Sequence, residues 1–317
     1  MAVQVEDFTR RRTYDPSLVS IVVRTMGDRE PELRRALQSL VASDYGPIEA
    51  VVVVQADVMR DAQWHRVQAI CGEFPGLASR LVRNAASDDR RAQNLNLGWR
   101  AARGRYIGFL DDDDELLPSH VSQLAGAIQQ GHRVWAYGRT LLCREDEQLR
   151  LLSTSEPFRR GDFSLAALWE ENFIPIHSFL IDRQSLHEEL RDQPFCEQLT
   201  RSEDWDFLLR LAFHHEPVRV DALTCRYFIS STQRNSNASL ASHHAGQEHE
   251  RNQARWQASK QLVDERKAAL AARHWWARSL FGGGVEAVAS PAQVAAAPTA
   301  LRRRAIRYLI RRLERLL

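Results

Sequence analysis

Four consecutive aspartates, Asp111 to Asp114, followed by Glu115, stand directly after the apolar run Tyr106-Ile-Gly-Phe-Leu110. That much negative charge is not buried unless it is paired or metal-bound. The run therefore reads as a buried strand that stops at Leu110 and leaves the acidic cluster at its exposed carboxyl end. In open α/β sheets such ends hold ligands. Pro118 and Ser119 then open a helix with Val121, Leu124, Ala125 and Ile128 on one face and Gly131 as its stop. Strand, carboxylates and helix together suit a phosphorylated ligand and a hard divalent cation, Mn²⁺ or Mg²⁺. A solvated turn is the ordinary reading of an acidic run; the strand in front of this one argues for a site. A second acidic pair, Glu203-Asp204, opens a patterned helix whose apolar face is Trp205, Leu208, Leu209 and Ala212, with Ser202 placed to cap it. Acidic residues are common in a first turn, so this pair gains meaning only from its context.

The elements that must position these groups alternate. Val19-Ser-Ile-Val-Val23 reads as a strand running into the polar loop Arg24-Thr-Met-Gly-Asp28. Pro31 starts a helix with Leu33, Ala36, Leu37, Leu40 and Val41 inward. Ile48 to Val54 is a second strand, apolar enough to be covered on both faces, and it ends at Gln55-Ala-Asp57. A helix around 61–74, a strand at 79–83, a polar stretch to Asn96 and a helix from Leu97 to Arg103 lead to the acidic strand end. This order implies a parallel sheet with right-handed crossovers. Beyond it, 134–142 reads as a strand, 144–162 as a charged loop-like insertion, and Val218–Val220 and Cys225–Ile229 as two short strands.

Composition narrows the class. The chain has 317 residues, 44% hydrophobic and 26% charged, which is globular. A net charge of +2 gives no reason to expect a nucleic-acid partner. Cys71, Cys143, Cys196 and Cys225 match no zinc or redox spacing, as expected of reduced thiols in a cytoplasmic protein. The first residues carry no apolar signal core, and no stretch approaches the ~20 apolar residues of a spanning helix. The divisions expected are a leader (1–17), a main domain (18–245, halves 18–118 and 119–245), a helical extension (246–281), a Gly/Ala/Pro-rich linker (282–298) and a final helix (299–317). Leu301, Ala305, Ile306, Leu309, Leu313 and Leu316 form one stripe of that helix, and seven arginines crowd its other faces. So basic an amphipathic helix suits an anionic membrane surface, placing the protein at the inner face; packing on its own domain or in a homodimer is the alternative.

Taken together, these landmarks resemble the family 2 glycosyltransferases of the GT-A fold, over about residues 18–232. The resemblance rests on Val19-Ser-Ile-Val-Val-Arg-Thr25, Leu33 and Leu37-x-x-Leu40, Ile48 to Val54, Asn96-x-Gly98-x-x-Ala101-x-x-Gly104-x-Tyr106 to Asp114, Pro118, and Glu203-Asp204-Trp-Asp with Arg210. It implies an open, mostly parallel twisted sheet flanked by helices. It also implies an enzyme moving a sugar from a nucleotide-diphosphate donor to a saccharide or lipid-linked hydroxyl, with inversion. By the family pattern, Asp113 first and Asp111 second hold Mn²⁺ or Mg²⁺, Asp112 faces the ribose or a metal-bound water, Thr25 and Asp57 lie beside the nucleotide, and Asp204 is the base with Glu203 next to it. Relatives commonly read Pro-Thr-Tyr-Asn where this chain has Arg24-Thr-Met-Gly27, Asp-Asp-Gly-Ser where it has Gln55-Ala-Asp57-Val, and an arginine where it has Leu95. Arg91 or Arg90 could supply that last charge. Non-catalytic binding of a nucleotide sugar or of a partner, and nucleotidyl transfer, are the other classes the pattern allows.

Overall fold

Valine-rich strands form the middle of the molecule. The computed structural model describes residues 14–56, 61–230 and 247–273. Strands β1 (Asp15–Thr25), β2 (Ile48–Gln55), β3 (Ala78–Asn84) and β4 (Gly104–Asp111) pair in parallel in the order β3-β2-β1-β4. Helices α1 (Glu30–Val41), α2 (Asp61–Gly72) and α3 (Arg91–Ala101) connect them. The chain thus leaves β1 toward one edge and returns through β4 on its other side. The carboxyl ends of β1 and β4 flank the point where strand order reverses, the usual ligand crevice of such sheets.

The second half continues the sheet. It comprises β5 (Glu115–Leu116), α4 (His120–Gly131), β6 (Trp135–Glu145), β7 (Leu151–Ser155), α5 (Leu165–Glu170), β8 (Phe179–Asp182), α6 (Glu203–His214), β9 (Val218–Ser230) and α7 (Gln247–Arg273). The full order is β3-β2-β1-β4-β8-β6-β9-β5, with β7 hairpinned onto β6. The long ladders are the parallel ones, β6 with β9 included; β8 and β5 join antiparallel.

Successive strand side chains face opposite ways, so the sheet feeds two cores. Val22, Val51, Val53, Ile107 and Phe109 pack with Trp99 and the α6 residues Phe207 and Leu208 on one face. Val19, Ile21, Val23, Val52 and Val54 pack with Leu33, Leu37, Val67 and Leu124 on the other. Each such side chain, taken fully out of water, contributes about 1.5–3 kcal/mol. Helix α3 lies so close to β1 that a Cβ at Gly98 would stand 2.2 Å from Val22 Cγ1. Buried Arg183 closes the far end of α3, donating to the carbonyls of Trp99, Ala102 and Gly104, a favourable place for a cation.

Several elements depart from the periodicity. Helix α3 starts at Arg91, not Leu97, because Asn94 and Asn96 are buried and serve as polar ties, to Gln55 and to the Phe195 backbone. The two short strands expected near the end of the sheet are one strand, β9, with register shifts between Tyr137 and Thr140 of its partner β6. The insertion at 144–162 holds the end of β6 and the exposed strand β7. Helix α4 ends at Gly131 as expected, but the left-handed turn that closes it is taken by His132 (φ 48°), while a Cβ at Gly131 would meet Val218 Cγ2 at 2.8 Å. Strand β1 begins at Asp15, inside the stretch read as leader. The expected linker and final helix, Asp57 and residues 231–246 lie outside the described residues. Among the described residues no helix is long and apolar enough to cross a membrane.

Candidate active site

The acidic run sits where its sequence position places it, at the carboxyl end of β4. Asp111 ends that strand, and its register partner on β1 is Arg24. The pairing sets the charge balance of the site. Both Asp111 oxygens accept from Arg24, through Nε and, at 2.9 Å, Nη2, and Arg24 Nη1 reaches Glu203 Oε1 at 2.6 Å. Burial disfavours the Arg24 charge, yet Asp111 and Glu203 outweigh it and hold its pKa well above the ordinary value. Burial likewise opposes ionisation of Asp111, but Arg24 lowers its pKa overall.

The next three carboxylates have less compensation. Asp112 accepts the Thr25 hydroxyl at 2.6 Å and lies 3.5 Å from Arg29, but burial still pushes its pKa up to about 6. Asp113 pairs with Arg29; burial, then Asp114 and Asp112, raises it well above the carboxylate range. Asp114 is fully buried, accepts from the Phe228 amide at 2.8 Å and lies 2.9 Å from His177 Nδ1. Burial raises its pKa despite His177, and Asp114 in turn raises that of His177 against the cost of burying an imidazolium. His177 is thus a buried counter-ion. Arg35 fixes the turn from behind, donating to the Asp113 carbonyl and to Glu145 while lying 3.6 Å from the Phe228 ring centroid.

One carboxylate oxygen each from Asp111, Asp113 and Asp114 fall within 4.8 Å of one another. Hard oxygens so grouped fit Mg²⁺ or Mn²⁺; burial above all, then neighbouring carboxylates, raises the pKa of Asp113 and Asp114, while Arg24 keeps that of Asp111 low. Asp112, turned to Thr25, stands outside this set. The sequence reading had not put Asp114 among the ligands; neighbouring aspartates cannot be ranked without the turn that orients them.

Helix α6 brings the second acidic pair to the same end of the sheet. Ser202 does not cap it: its backbone is left-handed (φ 59°) and its hydroxyl makes no capping bond. Glu203 is buried against Arg24, and half-buried Asp204 accepts from Asn172 Nδ2 at 3.0 Å and from the Trp205 amide at 2.8 Å. A first-turn position favours an ionised carboxylate at Asp204 through the helix dipole, but packing works against it. Burial, then Glu203, pushes its pKa up to about 6, outweighing Arg24 and the two hydrogen bonds. A carboxyl near neutrality is better matched to moving a proton than an ordinary one. Trp205 is structural: its indole donates to the Leu168 carbonyl, and Lys267 Nζ sits 3.8 Å from its ring centroid.

Arg91 lies on the same rim. Its Nε donates to Asp89 at 3.2 Å, and Asp89 also accepts from buried Arg201, which α7 holds through Asn252. Arg201, Arg29, Asn172 and the role of Arg24 escaped the sequence reading because arginines are scattered along the chain and nothing local marks these. His243, His244 and the His249 side chain lie outside the described residues. A separate group, His187, Glu189 and His214, also has ligand atoms within 4.8 Å. Its two imidazoles stack in parallel at 3.7 Å, so their in-plane lone pairs do not converge on one ion.

Known proteins resemble this chain in sequence and in fold. A family model described as glycosyl transferase family 2 matches residues 20–191, more than half of the chain. The uncharacterized glycosyltransferase YwdF of Bacillus subtilis is 27% identical over 70% of this chain and 78% of its own. The GalNAc(5)-diNAcBac-PP-undecaprenol beta-1,3-glucosyltransferase of Campylobacter jejuni is 24% identical over 65% of this chain and 67% of its own. Among solved structures, the mannosyltransferase PcManGT from Pyrobaculum calidifontis, in complex with GDP-Man and Mn²⁺, superposes with a TM-score of 0.50 at 16% identity, covering 86% of this chain and 77% of that one. The chain belongs to glycosyl transferase family 2, and its curled, mostly parallel sheet with flanking helices is the GT-A fold of those transferases.

Proposed function

We propose that the protein is an inverting, divalent-metal-dependent glycosyltransferase that uses a nucleotide-diphosphate sugar and acts in surface polysaccharide or glycolipid assembly. The observation that carries this reading is the joining of two acidic groups by one side chain. Arg24 touches both Asp111, in the carboxylate cluster, and Glu203, the neighbour of Asp204. Asp111, Asp113 and Asp114 would hold the ion. A divalent cation bound there supplies the positive charge that a departing diphosphate needs. Thr25 and Asp112, hydrogen-bonded to each other, would border the nucleotide, with Arg91 on the rim. Asp204 accepts the proton of the acceptor hydroxyl as it attacks; Asn172 orients its carboxylate, and burial sets its basicity. Displacement from one side with a single base inverts the anomeric centre, and the centre passes through an oxocarbenium-like state as in glycosidases. The Campylobacter relative acts, by its name, on an undecaprenol-linked glycan, which makes a saccharide or lipid-linked acceptor the reading to test first.

A panel of UDP- and GDP-sugars with and without Mn²⁺ tests the reading. One donor at a hundred times its Kd stabilises the fold by ~2.7 kcal/mol, only with metal, and its product carries the inverted configuration. A retained configuration, or stabilisation indifferent to metal, overturns it.

Placement at a membrane rests on the basic amphipathic pattern of 301–317, expected to be helical and outside the described residues. The full chain is expected to float with anionic liposomes, each basic residue adding ~1 kcal/mol, and a chain ending before Leu301 is expected to stay behind. Equal flotation of both, or flotation of neither, removes the anchor.

A further inference from the structure

Arg24 already neutralises one of the carboxylates that a bound cation would use. Its guanidinium takes both oxygens of Asp111, one of the three carboxylates that could share an ion, and its remaining nitrogen holds Glu203. It is largely buried, 14% exposed, and Glu203 is nearly inaccessible. Side-on pairing of this kind is strong and geometrically specific. A carboxylate offers about four lone-pair positions, so a bidentate guanidinium leaves an incoming ion the outer ones, beside a fixed positive charge. Among the other carboxylates of the cluster, Asp113 has Arg29 and Asp114 has His177. Only Arg24 also reaches the helix that carries Asp204, among the hydrogen bonds of the described residues.

We propose that Arg24 is a resident counter-ion that competes with the divalent cation for Asp111, so that metal entry loosens the tie between the metal cluster and the first turn of α6. Without metal, Arg24 satisfies Asp111 and Glu203 together and keeps the site folded. With metal, the guanidinium gives up Asp111, keeps Glu203, and is free to turn its planar fork to an anionic group of the donor, since the same fork matches phosphate and carboxylate. Arg24 is on this account a positioning residue, and it makes metal affinity weaker than the carboxylates alone would give. The inference rests on the reading that Asp111, Asp113 and Asp114 hold the ion.

The test is Mn²⁺ binding by the full chain without donor, read as free Mn²⁺ by electron paramagnetic resonance. Wild type, Arg24→Met and Arg24→Lys are compared, with Asp113→Asn as the control for the site itself. Arg24→Met is expected to bind Mn²⁺ at least tenfold more tightly than wild type. Arg24→Lys, which keeps the charge but cannot grip both oxygens in one plane, is expected to fall between. Thermal melts run alongside, so that a weakly folded Arg24→Met still reports: its melting temperature should start lower and gain more from Mn²⁺ than that of wild type. Wild-type binding that Asp113→Asn abolishes, with equal or weaker binding by both Arg24 variants, overturns the competition and leaves the metal site standing. No binding by wild type or either Arg24 variant overturns both. A residue that merely braced the fold would leave Mn²⁺ affinity unchanged or lower it.

Discussion

Asp204→Asn is expected to lose sugar transfer by ~10²–10⁴-fold, the usual contribution of a positioned general base, while donor binding survives. The amide keeps the size of the carboxylate and one of its two accepted hydrogen bonds, from Asn172 or from the Trp205 amide, so the site largely keeps its shape and loses its proton acceptor. The wild-type pH profile reports the same group. With a pKa of about 6, the base form is present above that pH, and kcat/KM should fall about tenfold per unit below it. The variant should lack that limb. Stability should move the other way. Folding raises the carboxyl above its ordinary 3.8, so the ionised form opposes folding. The penalty is absent below pH 3.8, grows as pH rises and is complete above about 6. Two pKa units correspond to ~3 kcal/mol, and partial solvent access trims this. Urea unfolding at pH 8 should therefore show the variant more stable by about 1–3 kcal/mol, with the gap closing toward pH 4. Wild-type turnover by the variant would remove Asp204 from the mechanism.

Asp113→Ala is expected to abolish metal-dependent donor binding. Asp113 pairs with Arg29, while Asp114 and Asp112 both repel it and burial adds to their effect. An ion there would relieve that repulsion, so removing Asp113 removes both a ligand and a reason for the ion to bind. The preferred donor plus Mn²⁺ should then add nothing to the melting temperature beyond what the donor adds alone. Asp112→Ala should differ. Asp112 lies outside the three-carboxylate set and accepts from Thr25, so its loss should weaken the nucleotide contact and leave Mn²⁺ binding in place. If Asp113→Ala keeps the full Mn²⁺-dependent gain, the cluster is not the metal site.

The sequence by itself determined the alternation of strand and helix, the two-sided burial of Val51 to Val54, and the placing of Asp111 to Asp114 at a strand end. The first two follow from the need to cover apolar runs; the acidic run does end the strand, but Asp112 and Asp114 are buried there beside Arg29 and His177 rather than exposed. The sequence also marked Glu203-Asp204, though only as one landmark in an ordered series, because an acidic first turn is common. Helix α3 was legible only from Leu97 onward, since Asn94 and Asn96 fill core positions with polar groups that are satisfied by chain far away.

Tertiary structure decided what those carboxylates meet. Arg24 and Asp111 are 87 residues apart, and Arg24 and Glu203 are 179 apart. Only the parallel register of β1 on β4, with α6 set against the same end, makes them one cluster. The same holds for His177, whose buried place beside Asp114 no local pattern marks. It holds also for Asp204, whose helix position argued for a low pKa while the packing around it raised the value. Desolvation and summed charge depend on every neighbour in three dimensions, so they stay hidden until the chain has folded.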